Sequence, residues 1–426
     1  MIALTSIVFL AFLVIGVPVA FSVGIAGVAG LMWSGAYPLP IVMQQIFQSV
    51  DSFVLLAIPL FILAGMLMET GGIAIRLVRL AQALIGWVRG GLAMAVVVAE
   101  YIFSGISGST VADVSAIGST MIPSMTKAGY KPEQAVCVVA AASAMGILVP
   151  PCILMIVIGS IANVSVAALF IAGFLPAVVL AIAIMGYIYV EARMSPDIAP
   201  PQPMNRVELK ASFLDAIVPL GLPAIIFGGI LGGIVTPTEA AAVAVFYAAI
   251  VGLFVYREIR WRDLPEILIQ SSVVTAAVCF LLGVAAVVAW VLAVEQVPAY
   301  LIKSMSAMSA GPITFLVLTA VLFILMGAVL EGLPAVVILL PTFVPVAKTF
   351  GIDLVHYSIV IVAATGIGLF LPPVGVGLFI SCGIAKVTMD RVVRPMMPYV
   401  AFLCLGLVLV IVFPWITLVL PALFKL

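Results

Sequence analysis

The chain has 426 residues, of which 65% are hydrophobic and only 8% charged, and 17 acidic against 17 basic side chains leave no formal net charge. A mean hydropathy of +1.42 excludes a soluble globular domain, and the charge balance offers no basic stripe for nucleic acid. Lipid supplies no partners for backbone N–H and C=O groups, and the apolar runs are far longer than barrel strands, so the spans are read as helices of an all-α polytopic membrane protein.

The N-terminal run MIALTSIVFLAFLVIG has no Lys or Arg and stays apolar past residue 30, too long for a signal-peptide core. It predicts a retained first helix within a crossing at 4–33. A second crossing at 51–70 is followed by the amphipathic arm GGIAIRLVRLAQALIGWVRGG, 71–91, whose three arginines beside Trp87 suit a scaffold helix lying flat on the cytoplasmic interface. The next apolar region, 90–125, is interrupted by SGSTVAD, which predicts a helix, a turn and a helix forming a re-entrant hairpin. Crossings at 133–163 and 165–193 lead to MSPDIAPPQPMNRVELK, 194–210, a polar, proline-rich linker. Beyond it come crossings at 213–233, 237–256 and 264–295. A second interrupted region at 312–348, broken by LEGLPAV, predicts another hairpin, and crossings at 355–386 and 391–421 complete the nine.

Lysine and arginine test this arrangement, because they gather on the cytoplasmic side. With the N-terminus in the cytoplasm and both hairpins returning to the face they entered from, only Lys303, Lys348 and Lys425 of the 17 basic residues fall outside. The linker also divides two related halves. AASAMGILVPP at 141–151 aligns without gaps on AATGIGLFLPP at 363–373, and at the same offset of 222 Gly105 meets Gly327, Gly129 meets Gly351 and Pro176 meets Pro398. The expected organisation is a first repeat over 1–193, a linker and connecting helix over 194–236, and a second repeat over 237–426. An odd number of crossings between equivalent points inverts the second copy, as in secondary transporters.

Catalytic motifs are missing. The five cysteines lie in apolar segments without metal-ligand spacing and read as small core residues. His356 is the single histidine, and no phosphate-binding loop, nucleophile elbow or H-E-x-x-H pair occurs. An intramembrane enzyme would have only scattered serines and carboxylates without a histidine base. The chemistry lies instead where the backbone must break. Pro150-Pro151 and Pro372-Pro373 fall near the middle of crossings, and each pair follows a glycine, Gly146 or Gly368, by four residues. A proline kink is the plain reading of one pair; two at equivalent positions favour a site, since freed carbonyls at membrane depth must line protein or water.

At the offset of 222, Ser109 and Thr110 correspond to Glu331 and Gly332, so the two polar tips are equivalents entering from opposite faces. Ser104, Ser107, Ser109 and Thr110 bring hydroxyl oxygens, and Gly105 and Gly108 admit close backbone. Such oxygens suit a hard cation such as sodium, while half-helix N-termini suit an anion. Close helix packing is the alternative reading of the serines. Asp113 and Glu331 are the informative carboxylates, because an ionisable group within the membrane is normally paired or functional, although either can cap a neighbouring helix. Glu69, Glu100, Glu239 and Glu295 lie nearer predicted helix ends or lack an equivalent and read as solvated there.

SGSTVADVSAIGSTMIPSM (107–125), KAGYKPEQA (127–135), GILVPP (146–151) and GLFLPPVGVGLF (368–379) resemble the large membrane subunit of tripartite ATP-independent periplasmic (TRAP) transporters, over essentially the whole chain. The resemblance implies an elevator-type, sodium-coupled symporter of the bacterial inner membrane that imports a small carboxylate, such as a C4-dicarboxylate or sugar acid. A periplasmic substrate-binding protein and a separate small four-helix membrane subunit are the implied partners, with sodium as coupling ion and no other cofactor. It places one sodium around Ser104, Gly105, Ser109, Asp113, Gly146 and Pro150, and another around Gly327, Thr365, Gly366, Gly368 and Pro372. The substrate falls between the tips, at Ser107, Gly108, Ser109, Thr110, Glu331 and Gly332. Cys152 and Leu371 depart from the family pattern, which removes two expected ligands. A stand-alone carboxylate transporter or a cation/proton exchanger is the competing reading.

Overall fold

The computed structural model describes residues 1–35, 37–108, 110–195, 205–307, 311–330, 332–372 and 375–426, with the backbone alone at 106, 107, 306 and 307. Among them every regular element is helical. In chain order these are α1 (Ile2–Val14), α2 (Val19–Ser34), α3 (Pro40–Val50), α4 (Ala57–Thr70), α5 (Ile73–Ile85), α6 (Gly91–Ser107), α7 (Thr110–Lys127), α8 (Pro132–Gly146), α9 (Ile153–Ala162) and α10 (Val166–Met194). After the linker come α11 (Arg206–Leu231), α12 (Pro237–Ile250), α13 (Leu264–Val294), α14 (Val297–Ala307), α15 (Pro312–Leu330), α16 (Gly332–Thr349), α17 (Leu354–Leu369), α18 (Val376–Ala385), α19 (Met389–Val412) and α20 (Trp415–Leu423). Among the described residues, eight helical stretches are long and apolar enough to cross a membrane: Phe53–Thr70, α10, α11, Pro237–Val255, Trp261–Val294, α15, α16 and α19.

The run at 4–33 is not one continuous helix. It divides into α1 and α2, which pack against each other. Gly16 adopts φ +89°, a left-handed conformation open to glycine, and Pro18 has no amide to extend the ladder, so the helix stops and restarts. The two interrupted regions do form adjacent packed helices, α6 with α7 and α15 with α16. Both proline-paired regions break as well: α8 ends at Gly146 and α9 begins at Ile153, while α17 ends at Leu369 and α18 begins at Val376. At about 1.5 Å per residue, α8 and α9 reach roughly 22 and 15 Å, so neither alone crosses about 30 Å of hydrocarbon. Helices α5 to α9 begin 221 to 224 residues before α14 to α18.

The first halves of the broken helices form the centre of the molecule. Every residue from Ala135 to Gly146 in α8 and from His356 to Leu369 in α17 is buried. These stretches are rich in Ala, Gly and β-branched residues, which lets helix backbones approach closely where apolar burial drives nothing. The second halves cross over: α9 packs against α16 and α18 against α7. Outside this core, α13 packs against α2, α3, α4 and α16, and α10 against α19 and α20. Of the cysteines, Cys137, Cys152 and Cys382 are buried and Cys279 and Cys404 partly exposed.

Polar contacts fix the periphery. In the arm α5, Arg76 donates to the Gly72 carbonyl at 2.8 Å and to Glu258 at 2.9 Å, with Asp215 3.6 Å away and the Tyr256 ring centroid 3.7 Å from its guanidinium carbon. This cluster ties the arm to α11 and to the turn after α12. Glu191 of α10 accepts from Gln134 of α8 at 3.1 Å and from the Tyr399 hydroxyl of α19. At the start of α17, Asp353 Oδ1 accepts from the amides of Val355 at 2.8 Å and His356 at 3.2 Å. Asp353→Ala removes this cap and is expected to cost about 1 kcal/mol, seen as a drop of a few degrees in Tm. Asp353→Asn keeps the acceptor, and its Tm is expected to match the parent.

Candidate functional site

The tip of the first hairpin closes onto the first helix break. A Cβ on Gly105 would lie 3.1 Å from the Pro150 carbonyl oxygen and 3.4 Å from Val149 Cγ1, and one on Gly108 would lie 3.1 Å from the Pro151 carbonyl oxygen. Gly108 also takes φ +64°. These glycines therefore let the end of α6 rest directly on two carbonyls that the proline pair has withdrawn from helical bonding. The amides of Leu148 and Val149 are taken up by the Met145 and Gly146 carbonyls at 3.1 and 2.8 Å.

Beneath the tip lies a buried polar group. Ser104 Oγ donates to Asp113 Oδ2 at 2.5 Å, and Ser143 Oγ donates to Glu100 Oε1. All four residues are at most 3% exposed, a burial that makes their hydrogen bonding matter. Gly146 completes the cluster, since a Cβ there would meet Ser104 Cβ at 3.2 Å and Glu100 Oε2 at 3.7 Å. Ser104, Gly105, Asp113, Gly146 and Pro150 thus lie together.

Glu100 is a correction. Read as a solvated helix-end residue, it lies in the body of α6 with 0% exposure. The cause is the partner helix: α8 presents Ser143 and Gly146 to this face of α6, leaving room for a carboxylate and supplying a donor for it. The signal available in the sequence was the spacing of Glu100 and Ser104, one helical turn apart on the strand of residues that leads to the tip. Glu239 and Glu295 do sit at helix ends: Glu239 caps α12 by accepting from the Thr236 amide at 2.7 Å, and Glu295 pairs with the N-terminal amine at 3.8 Å.

The second half repeats the backbone arrangement with fewer polar side chains. A Cβ on Gly327 would lie 3.0 Å from the Thr365 carbonyl oxygen and 3.5 Å from the Gly368 Cα; one on Gly332 would lie 3.7 Å from Thr365 Cβ. Thr365 Oγ1 donates within its own helix, to the Ile361 and Val362 carbonyls, both at 2.9 Å, so it faces the hairpin with its carbonyl. Gly366 backs onto Ala144 and Ile147, which joins the two breaks at one crossing point. Pro372 is buried in the turn after α17, and Cys152 is buried at the first break. Ser109, Glu331 and Pro373 lie outside the described residues, as does the Ser107 side chain.

Between the two hairpins lies a cavity of about 520 Å³. Gly108, Thr110 and Val111 line it from the first hairpin, Gly332, Leu333 and Pro334 from the second, and Ile147, Cys152, Ile153, Leu154 and Leu369 from the breaks. Its remaining wall is Val273, Val274, Ala277, Val278 and Leu281 of α13 with Val19 and Ala20 of α2. Three helices start at this cavity: α7 at Thr110, α9 at Ile153 and α16 at Gly332. Each N-terminus carries roughly half a positive charge, and no Lys, Arg or His stands among the described lining residues.

The family described as tripartite ATP-independent periplasmic transporter, DctM component, matches residues 6–416. The chain belongs to this family. It is 37% identical over 445 residues to the C4-dicarboxylate TRAP transporter large permease protein DctM of Vibrio cholerae, covering 99% of this chain and 98% of that one. It is 35% identical over 409 residues to the sialic acid TRAP transporter large permease protein SiaM of the same organism, covering 96% of each. Among solved structures, the YdaH transporter of Alcanivorax borkumensis matches with a TM-score of 0.61 at 16% identity, over 91% of this chain and 89% of that one, a likeness of fold alone. As a DctM-family chain, the protein is a multi-pass membrane component of a transporter.

Gly108→Ala tests the contact between tip and break. A side chain at φ +64° costs roughly 1 to 2 kcal/mol, and its Cβ meets the Pro151 carbonyl, so a lowered Tm is expected. Glycine-to-alanine exchange at Gly186, where a Cβ meets nothing within 4 Å, is expected to leave Tm unchanged or raised.

Proposed function

We propose that this chain is the large permease subunit of a sodium-coupled TRAP transporter that imports a small carboxylate delivered by a periplasmic binding protein. The observation that carries the reading is the cavity between the two hairpins, where three helix N-termini converge without a fixed cationic side chain among the described lining residues. Partial positive charge from oriented amides suits a carboxylate, and about 520 Å³ suits a small organic ligand. The relatives' names point to the same chemistry, one to a C4-dicarboxylate and one to sialic acid.

Sodium is supported by the oxygen groups at each break, which are carbonyls and hydroxyls of the kind a hard cation takes. An inverted repeat is supported by the recurrence of α5 to α9 as α14 to α18 and by the sorting of Lys and Arg, which also favours a cytoplasmic N-terminus and a periplasmic C-terminus. The elevator reading takes the hairpins and broken helices as the moving body and α2, α3, α4, α11, α12 and α13 as the scaffold. A separate small membrane subunit and a periplasmic binding protein complete the tripartite machine.

The test is uptake into proteoliposomes that hold this chain with its small subunit. Accumulation of a carboxylate is expected only with the binding protein present and an inward sodium gradient. Uptake that persists without the binding protein would establish the stand-alone carrier instead, and uptake driven equally by potassium would remove sodium. Ala277→Trp places an indole in the α13 wall of the cavity. It is expected to abolish uptake while keeping any sodium-dependent rise in Tm, because α13 carries none of the proposed ion groups.

A further inference from the structure

One oxygen of the cluster under the first tip is left without a donor among the described residues. Ser143 has one hydroxyl proton and gives it to Glu100 Oε1; Ser104 has one and gives it to Asp113. Glu100 Oε2 is buried and has no hydrogen-bond partner, and none of the ion pairs among the described residues involves Glu100. A carboxylate held at membrane depth with an idle oxygen is costly unless something positive completes it. The second half has no such requirement. At the offset of 222, Glu100, Ser104 and Asp113 become Leu322, Met326 and Ala335, and Ser143 becomes Thr365, whose hydroxyl bonds back into its own helix.

We propose that Glu100, Ser104, Asp113 and Ser143 form a monovalent-cation site inside the first hairpin, with Glu100 as a direct ligand, so that the two halves bind their ions by different means. Four side-chain oxygen groups converge there, and the nearby Pro150 carbonyl lies against Gly105 of the same hairpin, a donor set of hard oxygens suited to sodium. In the first half the ion is held by carboxylates; in the second, by backbone carbonyls. The inference rests on the sodium-coupled reading above and deepens it by naming the anionic ligand.

The experiment is thermal unfolding of the purified chain with its small subunit, over a sodium series balanced with potassium to constant ionic strength. In the parent, Tm is expected to rise selectively with sodium. Glu100→Gln, which keeps shape and removes charge, is expected to raise the half-saturating sodium concentration at least tenfold. Ser143→Ala, which releases Oε1, is expected to raise it several-fold. A parent that responds to sodium alongside a Glu100→Gln variant with the same titration overturns the inference and leaves sodium coupling standing. A parent with no selective response overturns both. If Glu100→Gln does not fold, Glu100→Asp withdraws the carboxylate by one methylene and carries the same test: a tenfold rise supports the site, and an unchanged titration overturns it.

Discussion

Two places where a helix must stop at membrane depth govern this molecule. A proline pair withdraws amides and leaves carbonyls that lipid cannot satisfy, so each break has to be covered by protein that brings almost no side chain of its own. The hairpins meet that demand with glycines: Gly105 and Gly108 rest on the carbonyls of Pro150 and Pro151, and Gly327 rests on Thr365. The burial of α8 and α17 follows, because helices that end inside the membrane must be enclosed by the rest of the chain. The second halves are exchanged, α9 onto α16 and α18 onto α7.

That constraint also creates the cavity. A helix stopped in the interior begins again there, and its first amides point into whatever space the break leaves. Three such beginnings, at Thr110, Ile153 and Gly332, share one space because Gly366 lets the two broken helices touch at Ala144 and Ile147. The fourth wall comes from α13, outside the hairpins. The cavity is therefore walled by the hairpins and helix breaks on one side and by α13 and α2 on the other.

Much of this is legible in the amino-acid sequence, because proline pairs and runs of small polar residues in apolar surroundings have few structural solutions. Helices restart at Thr110 and Gly332, within SGSTVAD and LEGLPAV, and at Ile153 and Val376, after the proline pairs. The division of 4–33 was obscured because hydropathy reports immersion in lipid and is blind to continuity; Gly16 and Pro18 carried that information. Glu100 was obscured for a different reason. Its surroundings are made by Ser143 and Gly146 on another helix, and no local pattern shows which residues will face it.

The position of Asp113 links the two functions of the first hairpin. It lies in the first turn of α7, whose N-terminal residue Thr110 lines the cavity. A carboxylate in that turn stabilises the helix but offsets the partial positive charge that α7 offers to an anion. Glu100 is buried alongside, within the same field. A cation seated between them would cancel that field and restore the pull of the helix end on a carboxylate one turn away. Ion and substrate would then favour each other through charge alone, without contact, and by linkage the effect would be equal in both directions. The second hairpin has alanine at the position matching Asp113, so α16 presents its N-terminus to the cavity without this offset. With an ion held there, the first half would sense the ion, and the second would supply a constant part of the attraction for the anion.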